Sequence, residues 1–197
     1  YDYIKRLLTP KDMGYEKMRL GTHYDGGYII SRKLLNQTHA VYSLGIGNDC
    51  LFDYHLAERG LTIHQYDGTV ADTPMRHPNF KFQSLMIDSK VLTEQLELNG
   101  HTNRNDLMLK MDIEGSEYEL INSIDWKTLD CFNQIVFELH WLSKSELLVP
   151  ILQKLSTQFT LIHIHANNYG PIVISPPEPH TVEGVPEVLE LTYVNNN

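Results

Sequence analysis

The chain has 197 residues, of which 42% are hydrophobic, and this size suits one domain built around a single core. Its formal net charge of -9 argues against nucleic acid or an anionic membrane surface as the main partner, because both require clustered Lys and Arg. The two cysteines, Cys50 and Cys131, have no paired spacing, so neither a disulfide framework nor a thiolate metal site is expected, and a reducing compartment, the cytoplasm, is favoured.

No apolar run approaches the roughly 20 residues that span a bilayer, which predicts no membrane segment in this chain. The chain begins at Tyr1 rather than at Met, which leaves open that it is part of a larger protein. We expect one domain over residues 1–197, in which residues 1–39 form an N-terminal lid or cap and residues 40–197 form the core.

Strand-like and helical runs alternate from residue 40 onwards, and this alternation predicts an α/β fold with a mostly parallel sheet covered on both faces. Seven strands are predicted, over residues 40–44, 61–66, 81–87, 107–111, 134–139, 159–165 and 188–194.

Helices are predicted between these strands. The first covers residues 49–59, another has Ser89 as its N-cap, and a third covers residues 118–124. A fourth follows a capping box formed by Ser143 and Glu146.

Two strand ends carry the motifs that point to a ligand. Val-Tyr-Ser-Leu-Gly-Ile-Gly-Asn-Asp covers residues 41–49, and Leu-Lys-Met-Asp-Ile-Glu-Gly-Ser-Glu covers residues 109–117. Each is an apolar run that stops at glycine and acidic residues just before a helical pattern, and open α/β sheets bind their ligands at such ends. The two motifs therefore predict one ligand-binding edge.

The glycine motif and the end of the next strand predict a cofactor site. Gly45 and Gly47 let the backbone approach a ligand closely, and Asp67 is placed to accept hydrogen bonds from ribose hydroxyls. A dinucleotide fingerprint would have a third glycine where this chain has Cys50, which disfavours NAD. Acidic Asp49 would repel phosphate and suits a cation, and S-adenosylmethionine carries a sulfonium, an ammonium group and a ribose but no phosphate.

Four segments carry a resemblance to a known family. They are Gly-Thr-His-Tyr-Asp-Gly-Gly-Tyr at 21–28, Tyr-Ser-Leu-Gly-Ile-Gly-Asn-Asp at 42–49, Lys-Met-Asp-Ile-Glu-Gly-Ser-Glu at 110–117 and Glu-Leu-His at 138–140. Together they resemble the FkbM-type and related S-adenosylmethionine-dependent methyltransferases. The resemblance implies a Rossmann-like class I methyltransferase fold, with a seven-stranded, mostly parallel sheet, an antiparallel last strand and helices on both faces. It also implies methylation of hydroxyl groups on sugars and glycosylated natural products.

The resemblance divides the cofactor site into parts. It implies that Gly45 and Gly47 border the methionine part, that Asp67 binds the ribose and that Met86 and Asp88 lie at the adenine. It also implies that the N-terminal region supplies a lid over the cofactor, with Asp25, Gly27 and Tyr28. The set is completed by Asn48 and Gly68, which adjoin the second glycine and the ribose acid in the sequence.

The acceptor chemistry is expected where strands four to six end. A sugar hydroxyl is a poor nucleophile near neutral pH, so it needs a general base or a metal ion. In the metal version Asp112, Glu138 and His140 bind Mg²⁺ or Mn²⁺, which chelates neighbouring hydroxyls of the acceptor. In the metal-free version His140 or His165 takes the proton, and Asp112 is catalytic in both. The sequence leaves both versions open.

Other residues near these strand ends have structural interpretations. Glu114 and Glu117 suit the first turn of a helix, where an acidic group favours the helix dipole. Trp141 and Tyr169 are expected in the core, with stacking on a sugar ring as the alternative. The long Pro-rich segment 167–186, which contains His180, is expected either to cap the acceptor site or to be mobile.

The sequence thus predicts an S-adenosylmethionine-dependent O-methyltransferase whose acceptor is a hydroxyl of a small molecule or glycan, in first place a sugar in a glycan or glycoconjugate. Two alternatives stay open. One is a dinucleotide-binding oxidoreductase, and the other is a non-catalytic domain of a larger glycan-building protein.

Overall fold

The computed structural model describes residues 2–144, 146–174 and 184–197 of the chain. Two short strands, β1 (Lys17–Gly21) and β2 (Gly27–Ser31), form an antiparallel hairpin near the N-terminus. The main sheet has seven strands: β3 (Ala40–Leu44), β4 (Thr62–Tyr66), β5 (Phe80–Gln83), β6 (Leu107–Met111), β7 (Phe132–His140), β8 (Phe159–Ala166) and β11 (Val188–Asn195). A further antiparallel pair consists of β9 (Ile172–Ile174) and β10 (Gly184–Pro186).

The main sheet has the strand order β5-β4-β3-β6-β7-β11-β8. Six strands run parallel, and β11, the last strand of the chain, lies antiparallel between β7 and β8. This confirms the predicted seven-stranded, mostly parallel sheet with an antiparallel last strand.

The helices of the described residues are short, and none is long and apolar enough to cross a membrane. They are α1 (Asp2–Leu7), α2 (Arg32–Leu35), α3 (Leu51–Ala57), α4 (Ser89–Leu98), α5 (Glu117–Ser123), α6 (Trp126–Leu129), α7 (Leu148–Gln158) and a single 3₁₀ turn, Leu142–Lys144.

The two faces of the sheet carry separate apolar clusters, because successive side chains of a strand point to opposite faces. On one face Val41, Ile63 and Met108 pack with residues of the β1–β2 hairpin and of α3. On the other face Tyr42 and Leu109 pack with residues of α4, α5 and α7. Helices therefore cover both faces, as predicted, and the hairpin shares one face with α3.

Two predicted boundaries near the site are wrong. The strand predicted over residues 81–87 ends at Gln83, after which the chain follows the cleft described below instead of the sheet. The N-cap of α4 is Asp88 rather than Ser89, because the Asp88 carboxylate accepts the Val91 N–H at 2.8 Å.

The predicted capping box of the last helix is also wrong. Ser143 lies in the 3₁₀ turn, and α7 begins only at Leu148, with Leu147 as an N-cap that makes no side-chain cap hydrogen bond. Pro150 lies in the first turn of α7, where a missing N–H costs nothing.

The ends of β3 and β6 meet at a contact that only glycine allows. Gly45 follows β3 with a φ of 78°, and a Cβ built there would collide with the carbonyl oxygen of Asp112. Hydrogen bonds fix this approach, since Gly45 N donates to Tyr66 O at 2.9 Å and Asp112 N donates to Leu44 O at 2.9 Å. The backbone of the glycine loop is therefore pressed against the strand end that carries Asp112.

This contact predicts different costs for two alanine substitutions. Gly47 also has a positive φ, of 55°, but a Cβ there meets nothing within 4 Å. Gly47→Ala should therefore cost only the backbone strain, about 1–2 kcal/mol. Gly45→Ala should cost about 2–5 kcal/mol, because overpacking adds to the same strain. Urea unfolding of both variants measures the difference, and equal losses would show that the Gly45–Asp112 contact is not tight.

Candidate functional site

A cleft of about 530 Å³ opens at the carboxyl ends of β3, β4 and β6. Its lining comes from the hairpin turn, the glycine loop, the end of β4, the segment after β5 and the turn after β6. The residues named as cofactor candidates that line it are Asp25, Gly45, Gly47, Asn48, Asp67, Gly68 and Met86, and Asp112 lines it as well. A cavity therefore lies at the predicted edge, at the switch point of the sheet.

Asp67 anchors the glycine loop from the neighbouring strand end. One carboxylate oxygen accepts the N–H groups of Ile46 and Gly47, each at 2.8 Å, and the other accepts the N–H of Thr69 at 2.7 Å and its hydroxyl at 2.6 Å. Burial by itself would raise the pKa of Asp67, but these hydrogen bonds outweigh burial and lower it. All four lone-pair positions of the carboxylate are thus occupied by the protein itself.

A buried cation supports the same loop from below. Lys110 lies within β6, and its Nζ donates to the carbonyl oxygen of Gly45 and lies 3.9 Å from Asp112 Oδ2. The carboxyl group of Asp53 is also buried, and it accepts a hydrogen bond from Gln65 at 2.8 Å. Burial raises the pKa of Asp53. A network of buried polar groups that includes Lys110, Asp53 and Gln65 therefore lies beneath the glycine loop.

Glu117 organises the turn that follows β6. Its fully buried carboxylate accepts the N–H of Ile113 and the N–H of Gly115, each at 2.8 Å. It also accepts a hydrogen bond from His140 Nδ1 at 3.1 Å. The helix-start role expected for Glu117 is therefore only part of its function, because it also fixes the orientation of an imidazole on β7.

His140 directs its other nitrogen at three carboxyl groups. Its Nε2 lies 3.8 Å from Asp112, 3.7 Å from Glu114 and 3.5 Å from Glu138. Burial would lower the pKa of His140, but the hydrogen bond to Glu117 and the charges of Glu117, Asp112 and Glu114 raise it to about 9. We call these five residues the acid–imidazole cluster.

Glu138 connects this cluster to the hairpin turn. Burial, followed by the charges of Asp112 and Asp25, raises the pKa of Glu138 to about 8. The Asn167 amide donates to Glu138 at 3.2 Å and to Asp25 at 2.9 Å. The acidic side chains of β7 and of the hairpin turn are therefore bridged by one amide group.

Both non-glycine residues with positive φ in the described part of the chain belong to this region. They are Glu114, with a φ of 55°, and Trp141, with a φ of 57°. Glu114 lies in the turn held by Glu117, and Trp141 directly follows His140. Strained backbone of this kind costs about 1–3 kcal/mol per residue and is concentrated at functional sites.

Six of the predicted site residues lie outside the cleft lining: His140 and Glu138 belong to the acid–imidazole cluster, and four others lie elsewhere. Gly27 and Tyr28 lie beneath it, and the Tyr28 hydroxyl donates to Asp112 Oδ2 at 3.0 Å. Burial raises the pKa of Tyr28 well above its usual value, so this hydroxyl keeps its proton. Asp88 uses its carboxylate to cap α4.

The fourth is His165, which the structure does not bring to Asp112. It lies on β8, two strands and roughly 10 Å beyond β7 at normal strand spacing. Its Nδ1 lies 3.7 Å from Glu190 Oε2 on the intervening strand β11. His180, in the segment expected to cap the acceptor, lies outside the described residues.

Sequence reasoning missed the parts played by Lys110, Glu114 and Asn167. Lys110 gave a signal, since a lysine inside an otherwise apolar strand must find a buried partner. Glu114 was expected to favour a helix dipole and instead lies 3.7 Å from His140 Nε2, while Asn167 gave no signal, because both act through contacts with residues distant in the chain.

Comparisons with known proteins support the fold. No family model matches the chain, and no curated protein matches its sequence. A chain of a fibrillarin/Nop5p complex is 11% identical, with a TM-score of 0.51 over 89% of this chain and 90% of that chain. The bifunctional kinase-methyltransferase WbdD is 13% identical, with a TM-score of 0.49 over 83% of this chain and 36% of that chain. A SAM-dependent methyltransferase from Agrobacterium tumefaciens is 9% identical, with a TM-score of 0.44 over 94% of this chain and 72% of that chain.

The strand order and the fibrillarin likeness together give the chain the class I methyltransferase fold. The chain spans about a third of the length of WbdD. At these identities the likeness concerns the fold alone, so the narrower FkbM-type resemblance stays a prediction.

Glu117 offers a direct test of how the cluster is held. Glu117→Gln places an amide N–H₂ against groups that are all donors, and loss of one member of a buried charge pair costs about 3–5 kcal/mol. We expect a loss of this size in urea unfolding. Glu119→Gln, which alters an exposed glutamate of the same helix, is the control and should change stability by less than about 0.5 kcal/mol. Similar values for the two variants would contradict the anchoring role of Glu117.

Proposed function

We propose that the chain is an S-adenosylmethionine-dependent methyltransferase that transfers a methyl group to a hydroxyl, that of a sugar in a glycan or glycoconjugate. The observation that carries the proposal is the continuity of one sheet edge, where the 530 Å³ cleft and the acid–imidazole cluster share Asp112 and Glu114. The fold supports a methyltransferase in general. The sugar acceptor rests on the resemblance found in the sequence.

The charge of the cleft supports this cofactor over a dinucleotide. Five acidic residues line it, and no Lys or Arg does so among the described residues; the acids are Asp25, Asp49, Asp67, Asp112 and Glu114. Such a cleft attracts a sulfonium and an ammonium group and repels a diphosphate. The oxidoreductase alternative is therefore disfavoured.

The residues of the cleft also suit the separate parts of the cofactor. Leu85, Met86 and Ile87 offer an apolar wall for an adenine ring, and the glycine loop permits close approach of the methionine part. Asp67 can meet ribose hydroxyls once they replace its bonds to Thr69. When bound, S-adenosylmethionine supplies a methyl group whose S–CH₃ bond breaks, with the electron pair passing to sulfur, as the acceptor oxygen forms the O–CH₃ bond.

The acceptor hydroxyl must also lose its proton, and we assign its acceptance to Asp112. Tyr28 holds Oδ2 of this carboxylate, while Oδ1 lies 3.8 Å from His140 Nε2. A His140 whose pKa is about 9 already carries a proton near neutral pH, so it stabilises the charge of Asp112 instead of acting as the base.

A divalent cation, Mg²⁺ or Mn²⁺, is the alternative arrangement of the same residues, in which His140 is an unprotonated ligand and Asp112 binds the ion instead of accepting the proton. Asp112, Glu114 and His140 each offer one ligand atom, and these atoms all lie within 4.8 Å of one another. Glu117 holds the second imidazole nitrogen, as carboxylates do behind metal-binding histidines. Glu138 was predicted as a ligand, but it lies outside this set of three. The ion would make the acceptor hydroxyl easier to deprotonate.

The cofactor is tested by calorimetric titration with S-adenosylhomocysteine. We expect a micromolar Kd, and Asp67→Asn should weaken binding by about 1.5–3 kcal/mol, because charged hydrogen bonds to the loop and the ribose are lost. Asp72→Asn, which alters an exposed carboxylate paired with Arg76, is the control and should leave binding unchanged. No binding by the folded wild-type protein would remove the methyltransferase proposal.

The cation is tested separately, by titrating Mn²⁺ and Mg²⁺ into the same protein. Glu114→Gln should weaken cation binding at least roughly tenfold, since loss of a ligand or its support usually costs this much or more. Glu119→Gln should bind as the wild type does. If Glu114→Gln binds the ion unchanged, Glu114 is not a ligand, and if neither ion binds the wild type, the metal-free version stands.

A further inference from the structure

Three aromatic side chains lie exposed near the acid–imidazole cluster. Trp141 is 42% exposed, Tyr169 is 65% exposed and Tyr24 is 73% exposed. Trp141 and Tyr169 were expected in the core, so their exposure corrects that expectation. Large rings grouped on a surface beside polar groups mark a binding site more often than chance exposure does.

Contacts connect each ring to the cluster. Trp141 follows His140 and packs over the turn after β6, where a Cβ built at Gly115 would lie 3.1 Å from its ring. The other two rings meet edge to face, with centroids 6.5 Å apart. They are attached through Asn167, whose side-chain oxygen accepts the Tyr169 N–H at 2.8 Å.

The side-chain amide of Asn167 also connects the two tyrosine rings to the acid–imidazole cluster. Asn167 donates to Asp25, the residue after Tyr24, and to Glu138, which lies 3.5 Å from His140. Hydrogen bonds thus link the Tyr24–Tyr169 pair to the acid–imidazole cluster, and Trp141 adjoins the same cluster because it directly follows His140.

We infer that Trp141, Tyr24 and Tyr169 form the acceptor subsite and that this subsite takes an uncharged carbohydrate ring. The inference rests on the proposed function and adds to it both the residues that hold the acceptor and the charge of the acceptor. Aromatic faces pack against the C–H faces of a sugar ring, while carboxylate and amide groups beside them accept and donate hydrogen bonds to hydroxyls. The acidic surroundings, Asp25, Asp112 and Glu114, disfavour a phosphorylated or otherwise anionic acceptor.

Binding can be measured through Trp141 itself. The chain has two tryptophans, so Trp141 is the only one left in Trp126→Phe. With S-adenosylhomocysteine bound, methyl glycosides of neutral hexoses and 6-deoxyhexoses should shift its emission to shorter wavelength. Hexose 6-phosphates should not.

Activity provides the second measurement, with labelled S-adenosylmethionine and the same glycosides. Trp141→Ala should raise KM for the glycoside roughly tenfold while the Kd of S-adenosylhomocysteine stays unchanged. Trp126→Ala is a matched control, because Trp126 is 41% exposed but lies in α6, before the start of β7. It should leave both constants unchanged.

The outcomes separate this inference from the proposed function. If S-adenosylhomocysteine binds but the neutral glycosides neither shift the emission nor accept a methyl group, the inference fails and the cofactor site stands. The inference also fails if the hexose phosphates are the better acceptors, or if the two tryptophan variants behave alike. If S-adenosylhomocysteine does not bind, both fail.

Discussion

Buried carboxylates that gather backbone N–H groups hold the functional edge of this protein together. The Asp67 carboxylate accepts hydrogen bonds from backbone N–H groups of the glycine loop, and the Glu117 carboxylate accepts them from N–H groups of the turn after β6. A turn that follows a parallel strand leaves N–H groups without sheet partners, and a carboxylate behind them satisfies the donors and fixes the direction of the chain. Because both anchors stand at the ends of strands of the same sheet, the position of the cleft relative to the acid–imidazole cluster is fixed by that sheet.

The charge state of the cluster follows from crowding as well as burial. Four carboxyl groups surround His140, and the pKa of His140 is raised to about 9 while burial and Asp112 raise that of Glu138 to about 8. Near neutral pH both shifts favour the protonated form of these two groups. A bound cation of the kind proposed above would take over the electrostatic role of those protons.

The features that the sequence predicted correctly are those that depend on a local residue pattern. The strands 40–44 and 107–111 have the predicted bounds, because each is an apolar run closed by glycine or acid. The hairpin of β1 and β2 was not predicted as strands, since its burial comes from packing on the distant strands β7 and β11, as in the Thr192 bond to Ile29 O. The site divides in the same way. Gly45 and Asp112 follow from their motifs, whereas the joining of Glu138, Asn167 and Asp25 depends on where three separate segments meet.

The strained residues show how the local backbone conformation is connected to the contacts between distant segments. Glu114 and Trp141 each adopt a backbone conformation that costs about 1–3 kcal/mol. Glycine would adopt this conformation without the cost, so the side chains at these two positions account for the strain. The Glu114 carboxylate lies 3.7 Å from His140 Nε2, and the Trp141 ring packs over Gly115, which has no side chain to obstruct it. The Glu117 hydrogen bonds offset this cost, because they hold the turn of Glu114 and the imidazole next to Trp141 through one carboxylate. The anchor that shapes the cluster thus also holds the strained turn of Glu114 and the imidazole that precedes Trp141.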